Sequence, residues 1–151
     1  MESGGLFGRY FVVPTPTALT RAWNLAQGQM RHFQCLRRHA LKLAFWPAAE
    51  SDLPDADLDW DWIEGEKRNR IGELRIDERI AGYENIRVIF FKANKPIDDD
   101  PKLPTGETML RIWLLTVFEK KSQGFSPGMI KAWRAARQII LARFYDGDPD
   151  A

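Results

Sequence analysis

The chain has 151 residues, of which 44% are apolar and 28% charged, with a formal net charge of +1. That balance excludes wholesale disorder, and no apolar run approaches the roughly 20 residues that a membrane helix needs. Cys35 is the single cysteine; an internal disulfide is therefore impossible, a reducing compartment is expected, and the residue itself reads as a small helix side chain. Met1 to Gly8 has no basic stretch leading into an apolar one, so no secretory signal is expected. Arg9 to Val13 is aromatic and β-branched, which predicts a short strand stopped by Pro14. Thr17 to Gln27 predicts a short helix with Thr17 as its N-cap, and Gly28 a break. Phe33, Leu36, Ala40 and Leu43 recur at helical spacing, which predicts a second helix over 29–45 ended by Pro47.

Residues 48–67 read as a polar, acidic connection, anchored by Leu53, Leu58, Trp60 and Trp62. Its spacing of Asp55, Asp57, Asp59 and Asp61 lacks the turn glycine and terminal glutamate of a calcium loop, so no metal is expected there. Gly72 to Asp77 predicts a strand with Leu74 and Ile76 on one side and Glu73, Arg75 and Asp77 on the other. Ile86 to Phe91 is a strongly apolar strand interrupted only by Arg87, and Leu110 to Phe118 is a third. With no helix between them, the last two are expected to pair antiparallel, with 94–108 as a hairpin insert. Ser126 and Pro127 open the final helix as N-cap and first residue, and Met129, Trp133, Ala136 and Ile140 form its apolar face. Residues 146–151 read as a frayed tail. The expected fold is a single α+β domain over 1–151, a small antiparallel, partly mixed sheet with N-terminal helices and a C-terminal helix.

Charge is segregated along this framework. Glu50, Asp52, Asp55, Asp57, Asp59, Asp61, Glu64 and Glu66 run without a Lys or Arg among them, whereas the final segment carries Arg111, Lys120, Lys121, Lys131, Arg134, Arg137 and Arg143 against Glu119. A locally basic surface attracts a polyanion even at a low net charge, because potential is screened over roughly 10 Å. His32 and His39, the only histidines, lie in the second predicted helix and read as structural or surface residues.

From Glu73 onward the chain resembles the core of RelE/HigB-type toxins, in particular their phage-related branch. The resemblance is carried by Glu73-Leu74-Arg75, Ile86-Arg87-Val88, Trp113-Leu114-Leu115, Phe118-Glu119-Lys120-Lys121, Pro127 and the helix through Ala132, Ala135, Ala136 and Arg137. It covers about half the chain; the 94–108 insert and the acidic connection depart from the family pattern. It implies a RelE/ParE-like fold and the toxin of a toxin-antitoxin pair, a cytoplasmic, metal-independent endoribonuclease that needs no cofactor and cuts mRNA on the ribosome. A cognate antitoxin, the ribosome and mRNA are the implied partners, with no membrane. The alternatives are a ParE-like gyrase inhibitor and a non-catalytic binding module on the same fold.

Cleavage by the adjacent 2′-hydroxyl needs alignment and dispersal of negative charge, which guanidinium and ammonium groups supply. Carried over by motif, Arg87 and Lys121 are expected to stabilise the phosphate and Arg75 and Lys120 to position the backbone, with Glu73 or Glu119 as a candidate general base. Lys131, Arg134 and Arg137, spaced by threes on the last helix, are expected to be exposed and to touch RNA phosphate.

Overall fold

The computed structural model describes residues 10–45, 59–98 and 110–151. Strand β1 (Tyr10–Pro14) leads into helices α1 (Pro16–Leu25) and α2 (Met30–Leu41), and α2 tightens into a 3₁₀ turn over Lys42–Phe45. Four strands follow, β2 (Trp60–Trp62), β3 (Ile71–Ile76), β4 (Ile86–Lys92) and β5 (Leu110–Glu119), and then helix α3 (Pro127–Phe144). The expected α+β arrangement is observed: a five-stranded mixed sheet in the order β1-β5-β4-β3-β2, parallel only where β1 meets β5.

The helix starts follow from their caps. The Ser126 hydroxyl accepts from the Met129 N–H with Pro127 in the first helical position, as expected. In α1 the cap is Thr15 rather than Thr17: its side chain accepts from the Ala18 N–H, and Pro16 takes the first position, where a missing N–H costs nothing.

The sheet is covered on both faces. Leu74, Ile76, Val88, Phe90, Ile112, Leu114 and Val117 pack against Ala18, Leu36 and Ala40 of α1 and α2. Ile71, Ile89, Phe91, Trp113 and Leu115 pack against Trp133, Ile140 and Leu141 of α3. Each fully buried aliphatic side chain contributes about 1.5–3 kcal/mol, so both helical layers are tied firmly to the sheet. Gly72 lets the β4 aromatic lie flat on β3: a Cβ there would sit 2.5 Å from the Phe90 ring.

Two expectations are corrected. The second half of the acidic connection is not loop: Trp60, Asp61 and Trp62 pair antiparallel with Leu74, Glu73 and Gly72 as the edge strand β2. The first half, 48–58, and most of the hairpin insert, 99–108, lie outside the described residues. The tail is not frayed. The Gly147 N–H closes on the Leu141 carbonyl at 2.8 Å, Lys95 pairs with Asp148 at 2.6 Å, and Ala151 is buried.

Candidate phosphate-binding site

Alternation along β3 and β4 sends Glu73, Arg75 and Arg87 to the α3 face, and the register sets Arg75 directly opposite Arg87. Two guanidiniums so placed repel each other. Glu73 lies between them, its Oε1 3.2 Å from Arg75 Nη2 and its Oε2 3.4 Å from Arg87 Nε. The latter two atoms are buried and form no hydrogen bond among the described residues, although the charges attract. Arg75 is further held from the edge strand and the residue before it, by Asp61 Oδ2 at 3.8 Å and Asp59 Oδ1 at 3.0 Å. The acidic segment thus reaches the expected site.

The two lysines part company. β4 and β5 pair as Ile89 with Thr116 but Phe90 with Leu114, so Leu115 is an extra residue and the alternation of β5 shifts by one. Beyond this bulge Phe118 stands opposite Arg87 on the α3 face. There it packs on Phe125 and Trp133, with ring centroids 6.1 Å away in both cases. Lys120 follows Phe118 onto that face, its Nζ 4.7 Å from the centre of the Phe125 ring, and its N–H is fixed by the Asn85 carbonyl at 2.9 Å. Lys121 turns the other way. It is largely exposed, lies 3.8 Å from Glu119, and lines a shallow groove with Arg21, Asn24 and Leu25 of α1. The expected convergence of Arg87 with Lys121 is therefore corrected: Lys120 is the lysine on the arginine face. Glu119, the other candidate base, accepts from the Glu84 N–H at 2.9 Å and is paired with Lys121.

The expected exposed stripe on α3 holds at Lys131 and Arg134 and is corrected at Arg137. Lys131 is exposed, but Arg137 is only 3% exposed, stacks over Phe91 and donates to the Pro149 carbonyl at 2.8 Å. Arg134 binds both oxygens of Glu66, through Nε at 2.8 Å and through Nη2. The Arg134 hydrogen bonds hold the Glu66 carboxyl below the usual carboxylate range, against the opposing effect of burial. These charges fasten α3 and the tail to the sheet. Helical spacing alone hid this, because Glu66 is distant in sequence.

Concave surfaces lie beside the arginine pair rather than on it. A cleft of about 770 Å³ between α1, β5 and α3 is lined by Arg21, Phe118, Met129, Trp133, Ile139 and Arg143. Phe118 links it to the arginines, being both a cleft wall and the cross-strand partner of Arg87. An apolar cavity of about 250 Å³ lies on the other side, between α1, α2 and the sheet. His32 and His39 are half-buried on α2, which packs on that opposite face. Sequence reading missed Asp59, Glu66 and Phe125. The alternating Trp60-Asp61-Trp62 was the one available signal, since period-two aromatics mark a strand.

Two guanidiniums and an ammonium on one face are chemically suited to a phosphodiester, and the Glu73 carboxylate between the guanidiniums opposes it. Among the described residues no helix is long and apolar enough to cross a membrane. No protein-family model matches the chain, and no curated protein or solved structure is significantly similar to it.

Proposed function

We propose that this chain is an RNA-cleaving toxin of the RelE/HigB type, acting without a metal on ribosome-held message in the cytoplasm and restrained by a cognate antitoxin protein. The observation that carries the reading is the cross-strand pair Arg75 and Arg87 around the buried carboxylate of Glu73. Lys120 adds a positive charge on the same face. Arg87 and Lys120 stabilise the charge that grows on the phosphate as the 2′-oxygen bonds to phosphorus and the 5′-oxygen leaves. Glu73 Oε2 is buried beside Arg87 and orients it, so the 2′-hydroxyl proton passes to water and the departing 5′-oxygen takes a proton from water. Arg75, braced by Asp59, positions the backbone, and Lys131 contacts ribosomal phosphate.

Expression in cells tests this. Translation arrest with cut mRNA is expected, and Arg87→Ala combined with Lys120→Ala should stay folded and lose cleavage. Full activity in that double variant, or a DNA-damage response in place of translation arrest, overturns the assignment. A second reading, a non-catalytic binding module, is favoured by one observation: Glu73, Asp59 and Asp61 place three carboxylates against two guanidiniums. A purified chain that neither slows translation nor cuts ribosome-bound message would support it.

A further inference from the structure

On the opposite side of the sheet, three groups with metal-ligating chemistry converge. Cys35 and His39 are one turn apart on the same side of α2, because a spacing of four residues superposes side chains along a helix. Glu78, in the connection from β3 to β4, reaches both: its Oε2 is 3.1 Å from Cys35 Sγ and its Oε1 3.0 Å from His39 Nε2. One ligand atom from each of the three lies within 4.8 Å of the others. We propose that Cys35, His39 and Glu78 form a zinc site that clamps α2 to the β3–β4 connection.

The distances suit that ion. Zinc bonds of about 2.0–2.3 Å at tetrahedral angles separate neighbouring ligand atoms by roughly 3.3–3.7 Å, so ligand atoms that lie within 4.8 Å of one another need to draw together by roughly 1–1.5 Å at most. The donor set selects the class of metal: a thiolate and an imidazole favour zinc over calcium or magnesium, which prefer oxygen alone. Three protein ligands leave a fourth position for water. A nucleophilic role for the cysteine fits less well. Its thiol bonds to the carboxylate rather than to the imidazole, and burial, followed by that hydrogen bond, pushes its pKa up.

Arg38 is the local opponent. Its Nη2 lies 3.3 Å from Cys35 Sγ and 3.9 Å from Glu78 Oε1, yet its side chain is 66% exposed and can swing into solvent. A metal would replace its charge beside the thiolate and the carboxylate, and the guanidinium would move away.

The site is independent of the RNA-cleaving reading and is tested without any activity. The reduced, chelator-stripped chain is titrated with zinc against a chromophoric chelator, and with cobalt as a spectroscopic substitute. One zinc per chain and a thiolate-to-cobalt charge-transfer band are expected. Cys35→Ser, His39→Gln and Glu78→Gln should each weaken binding at least tenfold while the circular dichroism stays native, and Arg38→Ala should strengthen it severalfold. Absence of stoichiometric zinc binding overturns the site. So does a cobalt spectrum without the thiolate band, or zinc affinity unchanged in the Cys35→Ser, His39→Gln double variant, which places the metal elsewhere. Glu78 is half-exposed, so its variant remains informative if a helix substitution disturbs folding.

Discussion

The arginines of α3 and those of β3 and β4 serve the same side of the sheet in different ways. Arg134 binds both oxygens of Glu66, which Asn69 also contacts, and Arg137 is buried over Phe91 with one donor on a tail carbonyl. Arg75 and Arg87 instead share Glu73, and the Arg87 end of that arrangement forms no hydrogen bond. A cation whose hydrogen bonds are spent on its own chain is part of the scaffold. An unbonded donor does not by itself separate the two groups, because Arg87 Nε and Arg137 Nε are both buried without a hydrogen bond among the described residues; the difference is that Arg87 shares its carboxylate with a second guanidinium. A high density of basic residues therefore says less about an anion site than how their carboxylate partners are distributed.

Substitutions can break this contrast. The largest effect is expected at Trp133, which joins α3 to Phe118 and Phe125 and so to both regions: Trp133→Ala should cost about 3–5 kcal/mol, read by chemical denaturation. On the proposed reading, Arg87→Ala should lower cleavage by about 100-fold or more with a native circular dichroism spectrum, measured on ribosome-bound message. An unaltered rate would place Arg87 with the scaffold arginines. Arg137→Ala should cost about 2–3 kcal/mol by loss of a buried, charged hydrogen bond, with Arg137→Met losing less because it keeps volume over Phe91.

Glu66 sharpens the contrast through pH. Its folded carboxyl titrates below its ordinary value of 4.5, so it contributes stability that is present above that value and is lost as pH falls through the depressed one. Glu66→Gln should flatten the acid limb of a stability–pH curve while changing the neutral region less. The smallest effect is expected at Lys121, which is exposed and paired with Glu119: Lys121→Ala should leave both stability and cleavage essentially unchanged. A strong loss of cleavage there would restore it to the site in place of Lys120.

Much of the fold was legible locally. The β3 alternation of Leu74 and Ile76 against Glu73 and Arg75, the antiparallel β4–β5 pair and the Ser126 cap with Pro127 all follow from short-range rules and are all observed. The α1 cap lay two residues earlier than expected, since Thr15 and Thr17 both flank Pro16 and only the order cap-then-proline leaves the proline in a tolerated position. Edge strand β2 was read as loop because three residues give too short a period to outweigh the surrounding aspartates. The candidate site was half legible: its residue types stood in the motif, but the orientation of the lysines and the pairing of the helix arginines did not.

The sequence by itself determined which segments are strands and helices and which strand residues share a side, because those depend on period and on caps within a few positions. Only the tertiary structure decided which lysine joins the arginines, since one extra residue at Leu115 reverses the alternation that carries Phe118 and Lys120 to the α3 face. It also decided which cations are spent. Glu66 meets Arg134, and Pro149 meets Arg137, through contacts that exist only once the sheet, the last helix and the tail are packed together.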